Sequence, residues 1–160
     1  IYAVGDVAGE PMLAHKALSD ALIVARSILG EEPVIPPIPV VVYSSPELAK
    51  VGFSEEEARS QGIEVDTGMF PFKYSGRAHT LDEANGLLKM IVNKSSGEII
   101  GVEIVGPEAS ELIGVGVVAV SQKMKVSDFA KAIYPHPTLS EAYSEISKWL
   151  IGEPVHLLPR

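Results

Sequence analysis

The stretch LLKMIVNKSSGEIIGVEIV, residues 87–105, decides the fold. Two apolar runs, residues 87–92 and 99–105, flank the polar turn NKSSG at residues 93–97. Apolar, β-branched runs joined by a short turn that contains glycine are typical of an antiparallel β-hairpin. The sequence therefore predicts an antiparallel sheet that includes this hairpin.

Further strands and helices are predicted on both sides of the hairpin. Strands are expected at residues 1–4, 40–43 and 65–72, the last one irregular or at a sheet edge because a glycine and a proline interrupt it. Helices are expected at residues 11–30, 54–61, 107–124, 126–133 and 139–150. The prolines of residues 31–39 indicate a linker. Strands and helices around a local hairpin predict an α+β fold, an antiparallel sheet flanked by helices.

Composition narrows the class of function. The net charge of −8 argues against nucleic acid and anionic membranes as partners. Without an apolar run of transmembrane length or a signal-peptide pattern, we expect a cytoplasmic protein. The chain has no cysteine, so it has no disulfide, no thiol nucleophile and no cysteine-based zinc site, and we predict no metal site. Because the sequence starts at Ile1 in an apolar run, we expect a piece of a longer protein.

A histidine precedes a predicted helix start in the stretch PHPTLSE, residues 135–141. Pro137 disfavours the α conformation for the preceding residue, so His136 is predicted on an extended segment. Thr138 and Glu141 have the spacing of a capping box, which by itself explains the acid. Alternatively, the Glu141 carboxylate fixes the tautomer of the His136 ring and makes it an acid-base group.

A weaker candidate site lies near the N-terminus, at Asp6 and at residues 11–15, which read PMLAH. An acid after a strand is usually a turn former, but a helix N-terminus offers N–H groups and a positive dipole end to a ligand. The histidines His79 and His156 show no ligand spacing with one another or with acids, so both are predicted to be surface residues.

Six blocks of sequence, taken together, resemble the C-terminal part of the flavin-dependent pyridine nucleotide-disulfide oxidoreductases. They are YAVGD (2–6), PMLAHKA (11–17), VVYSSPE (41–47) with VG (51–52), FPF (70–72) with GRA (76–78), GPEASELI (106–113) and HPTLSE (136–141). They follow the order of the family and cover nearly the whole chain. Residues 138–141, TLSE, favour the branch that oxidises dihydrolipoyl groups.

The resemblance implies a division of the chain into three parts. Residues 1–30 would be a strand-helix remnant of an FAD-binding domain, residues 31–37 a linker, and residues 38–160 the interface domain that builds a homodimer. Asp6 would hold the ribityl chain of FAD. The flavin ring would lie beside Met12, Leu13, Ala14 and His15.

The resemblance also assigns the chemistry of the PHPTLSE stretch. His136 would take a proton from a dithiol, oriented by Glu141, and would act at the flavin and redox disulfide of the other subunit. The whole enzyme would pass electrons from the lipoyl groups of 2-oxoacid dehydrogenase complexes through FAD to NAD. This chain lacks the redox cysteine pair and most cofactor sites, so it is expected to be inactive alone. Tyr134 replaces a second histidine of many members, whose role cannot be carried over.

Two other interpretations remain open from the sequence. One is a free-standing dimerisation or interaction module without catalysis, suggested by the apolar predicted helix at residues 107–124. The other is a related reductase of the glutathione or mercuric reductase type, which shares the predicted architecture.

Overall fold

An antiparallel sheet organises the computed structural model, which describes residues 1–159. The strands are β1 (Val40–Val42), β2 (Glu47–Gly52), β3 (Val65–Pro71), β4 (Leu87–Asn93) and β5 (Ile99–Gly106). Their order across the sheet is β1-β2-β5-β4-β3, so the predicted hairpin of β4 and β5 lies inside the sheet. Every neighbouring pair is antiparallel, and β1 and β3 form the edges. The α+β fold predicted from the sequence is confirmed.

Helices pack on the sheet and close the core. The α-helices are α1 (Ala14–Ile28), α2 (Glu55–Ser60), α3 (Gly76–Thr80), α4 (Ala109–Ser121), α5 (Val126–Phe129) and α6 (Glu141–Leu150). Short 3-10 helices span Gly5–Ala8 and Phe72–Tyr74. Helix α4 packs against β2 and β5, and helix α6 packs against β3 and β4. None of the helices within residues 1–159 combines the length and apolarity needed to cross a bilayer.

The start of α2 shows how a local sequence signal fixes a helix end. Ser54 Oγ accepts a hydrogen bond from the Glu57 N–H at 3.1 Å, and Glu57 Oε2 accepts one from the Ser54 N–H at 2.7 Å. These bonds satisfy two backbone donors that the first turn leaves without partners. The predicted capping box is confirmed.

Helix α4 lies close to the sheet at one of its two glycines. A Cβ atom at Gly116 would lie 3.1 Å from Cβ and Cγ2 of Val102 on β5, whereas a Cβ atom at Gly114 would meet nothing within 4 Å. Close packing therefore accounts for Gly116, which is buried. It does not account for Gly114.

One predicted strand is absent from the described residues, and one strand was missed. Residues 1–4 do not form a strand: Val4 has extended dihedral angles, but no described strand pairs with this segment. A strand forms only where a partner supplies the ladder hydrogen bonds. Strand β2 was not predicted, although it carries buried Ala49 and Val51 at alternate positions.

Candidate acid-base site

His136 lies on the segment between α5 and α6, and its ring is held by the first residue of α6. The imidazole Nδ1 lies 2.8 Å from Glu141 Oε1. The His136 side chain is 80% exposed, whereas that of Glu141 is 32% exposed. The ring nitrogen Nε2 has no hydrogen-bond partner among residues 1–159. One nitrogen is thus fixed by a carboxylate, and the other is left for a proton transfer.

The second oxygen of Glu141 is also engaged. Glu141 Oε2 accepts a hydrogen bond of 2.8 Å from the Thr138 N–H, the half of a capping box in which the acid reaches back. The other half is absent, because the Thr138 hydroxyl donates to the Pro135 carbonyl oxygen at 2.7 Å and contacts Ser140 Oγ. Ser140 precedes the helix without a side-chain cap. The predicted capping box with Thr138 as N-cap is therefore only half formed: the acid bonds the Thr138 N–H, but the Thr138 hydroxyl does not cap the helix. The Glu141 carboxylate thus bonds both the backbone and the imidazole.

The electrostatics of Glu141 keep this carboxyl group ionised. Partial burial raises the pKa of Glu141, but the hydrogen bonds from Thr138 and His136 lower it, as do the charges of His136 and His156. The net shift of the pKa is downward. An ionised carboxylate at Nδ1 directs the proton of a neutral imidazole to that nitrogen and stabilises the protonated ring. His136 can therefore accept a proton at Nε2 and return it.

Helix α6 is anchored firmly behind this pair. Tyr143 is fully buried, and its hydroxyl donates a 2.8 Å hydrogen bond to the Leu112 carbonyl oxygen of α4. The Tyr143 ring stacks edge-on against Phe129 of α5, which also contacts the ring of Tyr134. Burial raises the pKa of Tyr134 to about 12, so this phenol stays protonated near neutral pH. These contacts fix the position of Glu141 relative to the sheet.

A second carboxylate–imidazole pair lies one helical turn further along α6. Glu145 Oε1 lies 2.9 Å from His156 Nδ1, and Glu145 Oε2 accepts a 3.1 Å hydrogen bond from the His156 N–H. The Glu145 side chain is only 10% exposed. His156 is a surface residue, as predicted, but its ring pairs with an acid that the spacing in the sequence did not reveal.

The N-terminal candidate residues lie at one end of α1. Gly5, next to Asp6, donates its N–H to Asp20 of α1 at 3.1 Å, so the short turn is fastened to the helix. Leu13 precedes α1 in extended conformation without a side-chain cap, and Ala14 is its first residue. His15 Nε2 lies 2.7 Å from the Pro39 carbonyl oxygen.

These residues fit one edge of a cofactor. Asp6 and Met12 are exposed, and the uncapped start of α1 offers N–H donors to an electron-rich ligand. No described hydrogen bond or ion pair connects them with His136 or Glu141. The chain thus presents two separate candidate sites.

A comparison with protein families decides the membership of the chain. Residues 38–147 match the family model of the pyridine nucleotide-disulphide oxidoreductase dimerisation domain. The chain belongs to this family. The match includes all five strands of the sheet and both His136 and Glu141, so the first candidate site is part of the dimerisation domain itself.

Relatives of this dimerisation domain are much longer than the chain. The dihydrolipoyl dehydrogenases of Thermus scotoductus and Geobacillus stearothermophilus are 44% and 40% identical over the whole chain, which covers 35% and 34% of them. The solved structure of LpdA from Mycobacterium tuberculosis has a TM-score of 0.85 at 31% identity over 92% of the chain and 33% of LpdA. The HOCl-induced flavoprotein disulfide reductase RclA from Escherichia coli has a TM-score of 0.83 at 27% identity, over 92% of the chain and 35% of RclA. The chain therefore spans about a third of the length of the relatives it matches.

Proposed function

We propose that the chain supplies the C-terminal third of a dihydrolipoyl dehydrogenase, in which the His136–Glu141 pair is the acid-base group. The observation that carries this proposal is the 2.8 Å contact between His136 Nδ1 and Glu141 Oε1, with Nε2 of the exposed ring left unbonded among the described residues. The identity of 44% to a dihydrolipoyl dehydrogenase over the whole chain supports the choice of reaction.

The proton transfer follows from this geometry. A dihydrolipoyl group carries two thiols, and only a thiolate attacks a disulfide efficiently. His136 Nε2 takes the thiol proton, and the Glu141 carboxylate stabilises the imidazolium that forms. The same ring then returns the proton to the leaving sulfur. In the whole enzyme FAD, when bound, carries the electrons onward to NAD.

The remaining parts of the proposal concern the cofactor and the domains. Residues 1–30 belong to the FAD-binding domain, residues 31–37 are a linker and residues 38–160 form the interface domain. Asp6 would hold the ribityl hydroxyl groups of FAD. Met12, Leu13, Ala14 and His15 would lie beside the flavin ring, where the positive dipole end of α1 would favour negative charge on the reduced flavin.

We also propose a homodimer in which each site needs both protomers. The chain has no cysteine, so the redox disulfide that exchanges with the lipoyl group must come from elsewhere. His136 faces outward from its own domain, as a group that completes a site on another protomer must. A two-fold dimer then contains two equivalent sites. The proposed substrates of these two sites are the dihydrolipoyl groups of 2-oxoacid dehydrogenase complexes.

The test is the dihydrolipoamide:NAD activity of the complete protein that contains this chain. His136→Gln should lower the turnover rate by about 10²- to 10⁴-fold, since general base catalysis contributes on that order. Glu141→Gln should lower it less, because the base remains but loses its orienting charge. His79→Gln is the matched control: the ring of this exposed histidine contacts the Lys73 carbonyl oxygen, away from His136 and Glu141 in the hydrogen-bond network, and the rate should not change. Full activity of His136→Gln, or activity of the isolated chain, would refute the proposal.

The similarity to RclA favours a second candidate, a flavoprotein reductase with another disulfide substrate. The same His136–Glu141 pair would serve it, because every thiol–disulfide exchange needs a thiolate. Turnover with dihydrolipoamide compared with turnover with glutathione disulfide separates the two. A preference for glutathione disulfide would favour this second candidate.

A further inference from the structure

The short 3-10 helix Gly5–Ala8 is fastened to α1 through both backbone polar groups of its first residue. The Gly5 N–H donates to Asp20 Oδ2 at 3.1 Å, and the Gly5 carbonyl oxygen accepts a hydrogen bond from Lys16 Nζ at 3.4 Å. Lys16 Nζ also donates to the same Asp20 oxygen at 2.7 Å. The bonds between Gly5, Lys16 and Asp20 form a closed ring, which we call the Gly5 clamp.

Lys16 occupies an unusual place for a lysine. Its side chain is only 9% exposed, and lysine is rarely buried without a partner. It also lies in the first turn of α1, where the positive end of the helix dipole disfavours a cation. Asp20 follows one turn later on the same face of the helix, so its carboxylate can offset both costs. The clamp therefore accounts for a buried lysine at this position.

Hydrogen bonds, rather than apolar contacts, hold the Gly5–Ala8 turn on the helix. Gly5 is the only buried residue of this turn, and Val7 is exposed. The approach at Gly5 is close, since an added Cβ atom there would lie 3.3 Å from Ala17 Cβ. Hydrogen bonds from Lys16 and from Gly5 lower the pKa of Asp20, so this acceptor is ionised at neutral pH. Loss of the clamp should therefore release the turn from α1.

The clamp connects the two parts of the proposed FAD site. Asp6, the proposed ligand of the ribityl chain, directly follows Gly5. Residues 12–15, which are proposed to lie beside the flavin ring, directly precede Lys16. Any movement of Gly5 relative to α1 would thus change the distance between Asp6 and the start of the helix.

We propose that Lys16 and Asp20 are positioning residues that set the affinity for FAD by holding the Gly5–Ala8 turn against α1. They do so without contacting the cofactor themselves. The clamp keeps Asp6 in place relative to the start of α1 before FAD binds, so binding does not have to order the turn. This inference rests on the FAD contacts of the proposed function.

The expected effect follows from the fraction of free protein that is competent to bind. The apparent Kd is the intrinsic Kd divided by this fraction, so a turn that is docked in about a tenth of the Asp20→Ala molecules raises the Kd for FAD about tenfold. Asp20→Asn keeps an acceptor oxygen but loses the charge that makes such bonds roughly twice as strong, so the rise should be about threefold. Lys16→Met keeps the apolar stem and the Gly5–Asp20 bond, and it should raise the Kd by a similar factor.

The experiment uses the complete protein that contains this chain, after its FAD has been removed. The apoprotein is titrated with FAD, and the flavin fluorescence reports the Kd. Asp128→Ala is the matched control, because it breaks the Asp128–Lys131 ion pair of 2.9 Å at the end of α5, and the Kd should not change. At saturating FAD the Asp20 and Lys16 variants should turn over at the parental rate, since they lose affinity and not the acid-base pair.

A second readout needs no FAD. Amide hydrogen exchange of residues 5–9 in the complete apoprotein, measured by mass spectrometry, should become at least about tenfold faster in Asp20→Ala. Exchange within α4 should stay as in the parent, which separates local release of the turn from a general loss of stability. If Asp20→Ala does not fold, Asp20→Asn carries both measurements at its smaller expected change.

The outcomes separate this inference from the proposed function. Asp6→Asn should raise the Kd for FAD, and an unchanged Kd would refute the proposed FAD contacts together with the inference. A raised Kd in Asp6→Asn with an unchanged Kd in Asp20→Ala or Lys16→Met would refute the positioning role alone. The same holds for an equal rise in Asp128→Ala, for a raised Kd without faster exchange of residues 5–9, and for lower turnover at saturating FAD.

Discussion

Replacing Gly68 by alanine should displace the helix that carries the acid-base pair. Gly68 lies on β3 beneath α6, and an added Cβ atom would lie 2.6 Å from Ile146 Cγ2 and 3.1 Å from Leu150 Cγ. Real Cβ atoms do not approach other atoms to 2.6 Å, and Ile146 is fully buried, so the helix or its side chains must move. Such overpacking costs about 1–3 kcal/mol. Alanine recovers about 0.5–1 kcal/mol of backbone entropy, so Gly68→Ala should lower the free energy of unfolding by about 1 kcal/mol.

Urea unfolding monitored by the fluorescence of Trp149, the only tryptophan, measures this loss. Gly114→Ala is the matched control, because its Cβ would meet nothing within 4 Å, and it should stabilise the chain by up to about 1 kcal/mol. The double variant Gly68→Ala/Ile146→Ala removes the clashing methyl group, so it should be less destabilised than the sum of the single variants by about 1 kcal/mol. Additive losses, or a Gly68→Ala protein as stable as the parent, would refute the steric reasoning.

Three further changes test the anchoring of α6 and the cap of α2. Tyr143→Phe removes the buried hydroxyl that donates to the Leu112 carbonyl oxygen and should lower the free energy of unfolding, measured with urea, by about 1 kcal/mol. Ser54→Ala removes the N-cap of α2 and should lower the free energy of unfolding by about 1 kcal/mol. An unchanged urea midpoint would contradict this expectation. Hydrogen bonds from Lys50 and from Ser54 lower the pKa of Glu57 from its usual value of 4.5 to about 2. The contribution of the ionised Glu57 carboxylate to the free energy of unfolding is complete above pH 4.5 and is lost as the pH falls towards 2. Because the Glu57 side chain is half exposed, this contribution is no more than about 1 kcal/mol. The difference in unfolding free energy between the parent and Glu57→Gln should therefore shrink over this pH interval.

The parts of the fold that are local in sequence could be predicted, and those that need distant partners could not. The hairpin of β4 and β5 and the capping box at Ser54 are determined within a few residues. Strand β2 pairs with β5, about fifty residues away, and its short alternation of Ala49 and Val51 with polar residues is too weak to stand out alone. Residues 1–4 have strand-like composition but no partner in the described chain. Strand propensity without a neighbour is not enough.

The same division holds for the candidate site. The orienting contact between Glu141 and His136 could be predicted because a helix start places the acid close to the preceding turn. The Glu145–His156 pair could not be predicted, because it depends on the return of the chain after Gly152, which has a φ of +84°. A glycine that ends a helix signals a turn, but the direction of the following segment is set by packing. The acid-base geometry is therefore local, whereas the tail that accompanies it is a tertiary feature.

The central position of the β4–β5 hairpin has a consequence for the folding rate. This pair closes a short loop, as the β1–β2 pair also does, but only β4 and β5 supply partners for both halves of the sheet. Strands β2 and β5 must close a long loop before they gain any contact. We therefore expect the folding nucleus to include the hairpin, with β1 and β2 added after the rate-limiting step. Strain at its turn, as in Gly97→Ala where φ is +74°, would slow folding, whereas shortened side chains in β1 would mainly accelerate unfolding. The inner strands β4 and β5 would then control how fast the domain folds, and the β1 edge of the sheet would control how slowly it unfolds.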